Sequence, residues 1–243
     1  MRLAGTVHSG TARHRLVVII RRHHRAAIAL AAAALLAGPA GWAEAPPEGF
    51  TALFNGTDLT GWRGAVDGYE AVAGTIRCKP GTGGNLFTAA EYSDFVLRFE
   101  FRLPPGGNNG LGIRMPPEGN PAVVAMELQI LDDANPKYAA IEPWQAHGSI
   151  YGVVPARRGC LKPAGEWNTE EVTALGSRIT VVVNGQTVVD ADVAEFRDGK
   201  TPTADGHPHP GLARTTGHIG FLGHGDAVRF RNLFIKPLPQ AGH

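Results

Sequence analysis

Nine consecutive residues, Phe95-Val96-Leu97-Arg98-Phe99-Glu100-Phe101-Arg102-Leu103, constrain this chain more than any other feature. Phe95, Leu97, Phe99, Phe101 and Leu103 take alternate positions, with Arg98, Glu100 and Arg102 between them. Side chains of an extended chain point to opposite faces in turn, so the run is a half-buried strand with one apolar face. The pattern recurs in Leu111–Met115, with Arg114 on the polar side, and in Met126–Leu131, which buries Met126, Leu128 and Ile130 and turns Glu127 and Gln129 together to the other face. Ile179–Val183 and Gln186–Asp190 flank Asn184-Gly185, a pair whose tolerance of positive φ suits a type I′ hairpin turn. His218–Leu222 and Ala227–Ile235 read as closing strands. Loops are expected at Pro104–Asn109, Pro116–Pro121, Asp132–Trp144 and Phe196–Thr216.

No long helix, internal repeat or second composition regime interrupts this pattern. The 32 glycines and 18 prolines supply turns, while a 43% hydrophobic content is ample for a core, which excludes a helical bundle and a disordered chain. About ten short antiparallel strands must close into a barrel or stack as two sheets. Either way the expected fold is all-β, one domain over residues 46–243; in the second case, a jelly-roll β-sandwich, the outer face of one sheet can hold a ligand.

Charge divides the chain. Residues 1–45 carry six arginines against the single acid Glu44, so +5; the rest carries seventeen basic and twenty-one acidic residues, so −4, for a formal total of +1. A mildly acidic body without a Lys/Arg run argues against nucleic-acid binding, which needs clustered positive charge. In the leader, the apolar run Ala26–Ala37 is too short to span a bilayer. It ends in Gly38, Pro39 and Gly41 before Ala43-Glu44-Ala45, a small-x-small cleavage sequence. We expect a signal peptide over residues 1–45, cleaved after Ala45, no stable membrane insertion afterwards, and a periplasmic or secreted protein; the competing reading is an N-terminal anchor. In an oxidising compartment Cys78 and Cys160 form one disulfide at most, and the sequence leaves bridged and free states open.

An ordered set of short motifs adds a resemblance. Phe50-Thr51-Ala52-Leu53-Phe54-Asn55-Gly56-Thr57-Asp58-Leu59-Thr60-Gly61-Trp62, Glu127-Leu128-Gln129-Ile130-Leu131-Asp132, Gly148-Ser149-Ile150-Tyr151-Gly152, Gly165-Glu166-Trp167-Asn168, Asn184-Gly185, Gly217 to Gly225 and Val228-Arg229-Phe230-Arg231-Asn232 follow one another. The chain resembles the 3-keto-disaccharide hydrolase family, also described as a 3-keto-glucoside 1,2-lyase and 3-keto-2-hydroxy-glucal hydratase domain, from about Phe50 to Pro237. The resemblance implies a concanavalin-like jelly roll and an exported enzyme acting on sugars oxidised at carbon 3, with an oxidoreductase partner supplying the 3-keto sugar. Such chemistry needs a base near the carbon-2 proton, an electrophile or a divalent metal ion at the ketone oxygen, and an acid for the leaving group.

Glu127 is the first candidate base or metal ligand; the bland alternative is a solvated strand-face charge paired with Arg114. His147, as base or second metal ligand, and Tyr151, as donor to a ketone or leaving oxygen, complete the catalytic set. A hydrogen-bonded loop histidine and a half-buried core tyrosine are their alternatives. Arg114, Gln129, Asp132, Trp144 and His224 are candidate substrate-binding residues, with a turn-capping role as the rival reading for Asp132. His207 and His209 read as solvated loop residues. A non-catalytic carbohydrate-binding module of the same fold is the alternative function.

Overall fold

The computed structural model describes residues 44–239; the leader expected over residues 1–45 lies almost entirely outside them. Thirteen strands account for the regular structure: β1 (Thr51–Ala52), β2 (Trp62–Gly64), β3 (Tyr69–Val72), β4 (Thr75–Cys78), β5 (Gly84–Thr88), β6 (Phe95–Arg102), β7 (Asn108–Met115), β8 (Met126–Leu131), β9 (Trp167–Leu175), β10 (Arg178–Val183), β11 (Gln186–Asp192), β12 (His218–Gly223) and β13 (Arg229–Pro237). One α-helical turn, α1 (Pro121–Val124), and short 3-10 turns fill the connections. Among the described residues no helix is long and apolar enough to cross a membrane.

The strands form two antiparallel sheets. The larger runs β11-β10-β9-β6-β13-β4-β3, with β1 also paired to β13, and the smaller runs β2-β5-β12-β7-β8. Each buries one face against the other, as the alternation in Phe95–Leu103 requires: Phe95, Leu97, Phe99, Phe101 and Leu103 are all buried. At the centre Phe221 of the small sheet stacks on Phe230 of the large one at 3.6 Å, and Phe99 meets Phe221 edge-on at 6.1 Å. Each such side chain contributes about 1.5–3 kcal/mol by leaving water. The chain is an all-β jelly-roll sandwich.

The hairpin β10–β11 turns at Asn184 and Gly185, whose φ values are +49° and +78°. Three readings change. Strand β7 begins at Asn108, inside the expected Pro104–Asn109 loop. Strands β2 to β5 and β9 carry no clear alternation: the first four are three to five residues long, and β9 places Glu170 on the core side beside Val172 and Ala174. The third is a bulge. Opposite β12 the register slips between His218 and Gly220, and Arg114 adopts φ +52°. Met115 is thereby turned to the outer face, where it packs with Phe87, Ala125 and Leu222. Both cysteines are free thiols, Cys78 buried and Cys160 half-buried.

Candidate active site

The outer face of the small sheet carries the expected site. In the ladder, Gly112 pairs with Glu127, and Gly110 with Gln129. On the other edge of β8, residues 148–151 add a short antiparallel segment: Leu128 bridges Ile150, the Gln129 N–H donates to the Ser149 carbonyl at 3.0 Å, and the Tyr151 N–H donates to the Glu127 carbonyl at 2.9 Å. Because Leu128 and Ile150 both face the core, Glu127 and Tyr151 share the outer face.

The Glu127 side chain is only 9% exposed, yet none of the described side chains or backbone groups hydrogen-bonds its carboxylate. Burial alone pushes its pKa up to about 7. The residue that makes room for it is Gly110, where an added Cβ would lie 2.2 Å from Glu127 Oε1. Neighbouring Gly112 similarly leaves space for the Met115 thioether. Gln129 is also buried on this face, with Oε1 unpartnered. Tyr151 is half-buried; its hydroxyl accepts from Gln145 Nε2 at 3.1 Å, and its ring meets Trp144 edge-on at 4.9 Å. Since the hydroxyl oxygen accepts, its own hydrogen is left to donate toward a ligand.

Other candidates lie elsewhere. Arg114 neither pairs with Glu127 nor reaches this face. It is fully buried, bound to Asp94 at 3.0 Å and to the Ser93, Gly176 and Arg214 carbonyls, because the bulge rotates it out of strand register. Burial holds its pKa below the ordinary arginine value, against the opposing pull of Asp94.

His147 faces the core rather than Tyr151. Its Nδ1 accepts from the Leu131 N–H at 3.3 Å, its Nε2 stands 3.3 Å from buried Glu170 Oε2, and its ring lies 4.9 Å from Phe101. Neither Nε2 nor the two Glu170 carboxylate oxygens make a hydrogen bond among the described residues. Glu127 and His147 therefore sit on opposite sides of the small sheet and do not form one metal ligand pair; among the described residues no three His, Cys, Asp or Glu side chains converge to hold a metal ion.

Asp132 is a turn staple: Oδ2 accepts from the Gly106 N–H at 2.8 Å and from Asn135 Nδ2 at 3.4 Å. His224 is exposed, just beyond the end of β12. His209, read as a solvated loop residue, is instead buried against Asp205 at 3.0 Å and the Ala122 carbonyl at 2.9 Å, while His207 is exposed.

The candidate site thus comprises Glu127, Gln129, Tyr151 and Trp144, with two residues not singled out from sequence beside them, Gly110 and Gln145. The Gly110-Leu111-Gly112 spacing was the available signal, since glycine inside a strand often marks a close approach.

The model of the 3-keto-alpha-glucoside-1,2-lyase-like domain family matches residues 49–236. The chain belongs to this family. Among similar proteins, a 3-keto-disaccharide hydrolase of Bacteroides thetaiotaomicron is 26% identical over 235 aligned positions, covering 79% of either chain. Two crystal structures of candidate glycosyl hydrolases from Parabacteroides distasonis superpose with TM-scores of 0.70 and 0.68 at 28% and 26% identity; they cover 78% and 79% of this chain, which in turn spans 99% and 95% of theirs. Membership of the 3-keto-alpha-glucoside-1,2-lyase-like family makes the protein a carbohydrate-active enzyme of the glycoside-cleaving kind.

Proposed function

We propose that this family member is an exported hydrolase of 3-keto-glycosides, among them 3-keto-disaccharides, working by elimination and rehydration at carbons 1 and 2. The observation that carries the reading is the solitary Glu127 carboxylate, buried, unpaired and pushed up to about 7. A base poised near neutral pH suits removal of a proton acidified by an adjacent ketone. Conventional glycosidases need two carboxylates flanking the bond. Asp132, the nearest acid along the strand, is held by the Gly106 N–H, which favours a single-base route.

In this scheme Glu127 takes the carbon-2 proton. The carbon–hydrogen electron pair first forms an enolate with the carbon-3 ketone and then the carbon-1 to carbon-2 double bond, as the glycosidic oxygen departs with its bonding pair. Tyr151, its hydroxyl hydrogen unspent, donates to the ketone oxygen or the leaving oxygen, and Gln145 orients it. Once the aglycone has left, the Glu127 carboxyl exchanges its proton with bulk water and delivers a solvent-derived proton to carbon 2 while water adds as hydroxide to carbon 1, the water's second proton balancing the one taken up by the leaving oxygen, so the net change is hydrolysis. Gln129 hydrogen-bonds a sugar hydroxyl, and Trp144 provides an apolar edge.

The test is turnover of a 3-keto-glucoside and its unoxidised parent by the mature protein. The 3-keto compound is expected to give 2-hydroxy-3-keto-glucal and free aglycone, with no product from the parent. Glu127→Gln should retain binding and lose turnover. Binding of glycans without product from any 3-keto-glycoside would leave the carbohydrate-binding module as the account. An oxidoreductase that oxidises carbon 3 must supply the substrate.

A further inference from the structure

We propose that the outer face of the large sheet, opposite the Glu127 site, carries an oxoanion-binding site built on Arg77, Arg229 and Arg102. In the ladder Arg229 of β13 stands directly opposite Arg77 of β4 on one side and Arg102 of β6 on the other. All three point outward, since their neighbours Ile76, Phe101 and Phe230 are buried in the core. Directly opposite side chains in antiparallel pairs have Cβ atoms about 4.5–5.5 Å apart, and like charges there are destabilising. A lateral row of three guanidinium groups is therefore an arrangement that folding alone disfavours.

Acidic neighbours only partly neutralise it. Glu70, at the end of the row on β3, is ion-paired with Arg77. Glu100 is taken by Arg231 at 2.7 Å and by Asn232 Nδ2 at 2.7 Å. Among the described residues Arg229 has only the Thr75 hydroxyl at 3.4 Å, and Arg102 lies over the Trp167 ring at 5.0 Å. Thus four arginines, counting Arg231, face two carboxylates, both already engaged. Burial, then Arg77 and Arg102, hold the Arg229 pKa below its ordinary value, with Glu70 opposing.

Trp167 fixes the end of the row. Arg231 also lies over its ring, at 4.1 Å, so Arg102 and Arg231 are held beside one indole and need little further ordering to receive an anion. Guanidinium forks match the paired oxygens of carboxylate, sulfate and phosphate groups. The site takes a carboxylate, sulfate or phosphate group, borne either by an acidic glycan or by a free inorganic ion.

Thermal melts of the wild type, Arg229→Met and Arg102→Met in sodium chloride and in sodium sulfate at equal ionic strength test this. Methionine keeps the apolar stem and removes the charge. Sulfate at ten times its Kd should raise the wild-type Tm by about 3–6 °C. Arg229→Met should lose the sulfate-specific part of that rise and melt higher than wild type in chloride, because the repulsion is gone. Affinity electrophoresis separates the sources: retardation by polygalacturonate or dextran sulfate, absent with neutral dextran and in both variants, identifies an acidic glycan, whereas sulfate stabilisation without retardation identifies a free ion. The proposal is overturned if neither arm responds, or if Arg229→Met is destabilised equally in both salts. Turnover of 3-keto-glucoside by Arg229→Met should equal wild type, so the outcome is independent of the Glu127 assignment.

Discussion

Glu127→Gln should stabilise the protein at alkaline pH while it removes activity. In the folded protein the carboxyl pKa is raised from 4.5 to about 7 by burial, whereas in the unfolded chain it returns to the ordinary value. Between those two pH values the folded state holds a proton that the unfolded state has released, so stability falls as pH rises through this window. Below 4.5 both states are protonated and the group costs nothing; above 7 the loss is complete. A tenfold difference in proton affinity corresponds to about 1.4 kcal/mol, so the rise amounts to about 3 kcal/mol. Glutamine is uncharged throughout and escapes that loss. For a protein of this size 1 kcal/mol moves Tm by about 2–4 °C. The Tm advantage of Glu127→Gln at pH 8 should therefore exceed that at pH 4 by roughly 6–12 °C, opening between pH 4.5 and 7 in a series of melts. A wild-type minus variant difference that stays constant from pH 4 to pH 8 would refute the claim that Glu127 is a desolvated, unpaired carboxylate.

Other perturbations separate the site from the core. Gly110→Ala should displace the Glu127 carboxylate, whose Oε1 is 2.2 Å from the added Cβ; kcat should drop at least about tenfold while circular dichroism stays native. His147→Ala should strip the buried Leu131 N–H of its acceptor, costing about 1–3 kcal/mol in urea unfolding, with kcat of the folded fraction unchanged; a selective loss of kcat would restore His147 to the catalytic set. Arg114→Met strands Asp94 and three carbonyls in the interior, so it should cost about 3–5 kcal/mol and leave KM untouched.

The architecture was legible wherever one side of a strand is apolar and the other polar. The period of two in Phe95–Leu103 and Met126–Leu131 marked both sheets and put Glu127 on an outer face before any pairing was known. Strand β9 escaped because Glu170 occupies a core position, and the side chain that approaches it there, His147, arrives from a loop distant in sequence. Arg114 misled for a local reason: one positive-φ residue in a bulge breaks the alternation that assigned its face. Gly110 and Gln145 became meaningful only once register and loop packing placed them beside Glu127 and Tyr151. The row of arginines is likewise a product of register, since Arg77, Arg102 and Arg229 are far apart in the chain and adjacent only across three strands.

The most direct test of the central claim follows the proton on carbon 2. A 3-keto-glucoside deuterated at that carbon is cleaved in ordinary water, and the released 3-keto sugar is analysed by mass spectrometry at early times against a control without enzyme. Elimination and rehydration through Glu127 predict that the deuterium is lost from the product and that Glu127→Gln releases no aglycone. Rapid cleavage with the label fully retained would contradict the account, because the glycosidic bond would then break without carbon 2 ever giving up its proton.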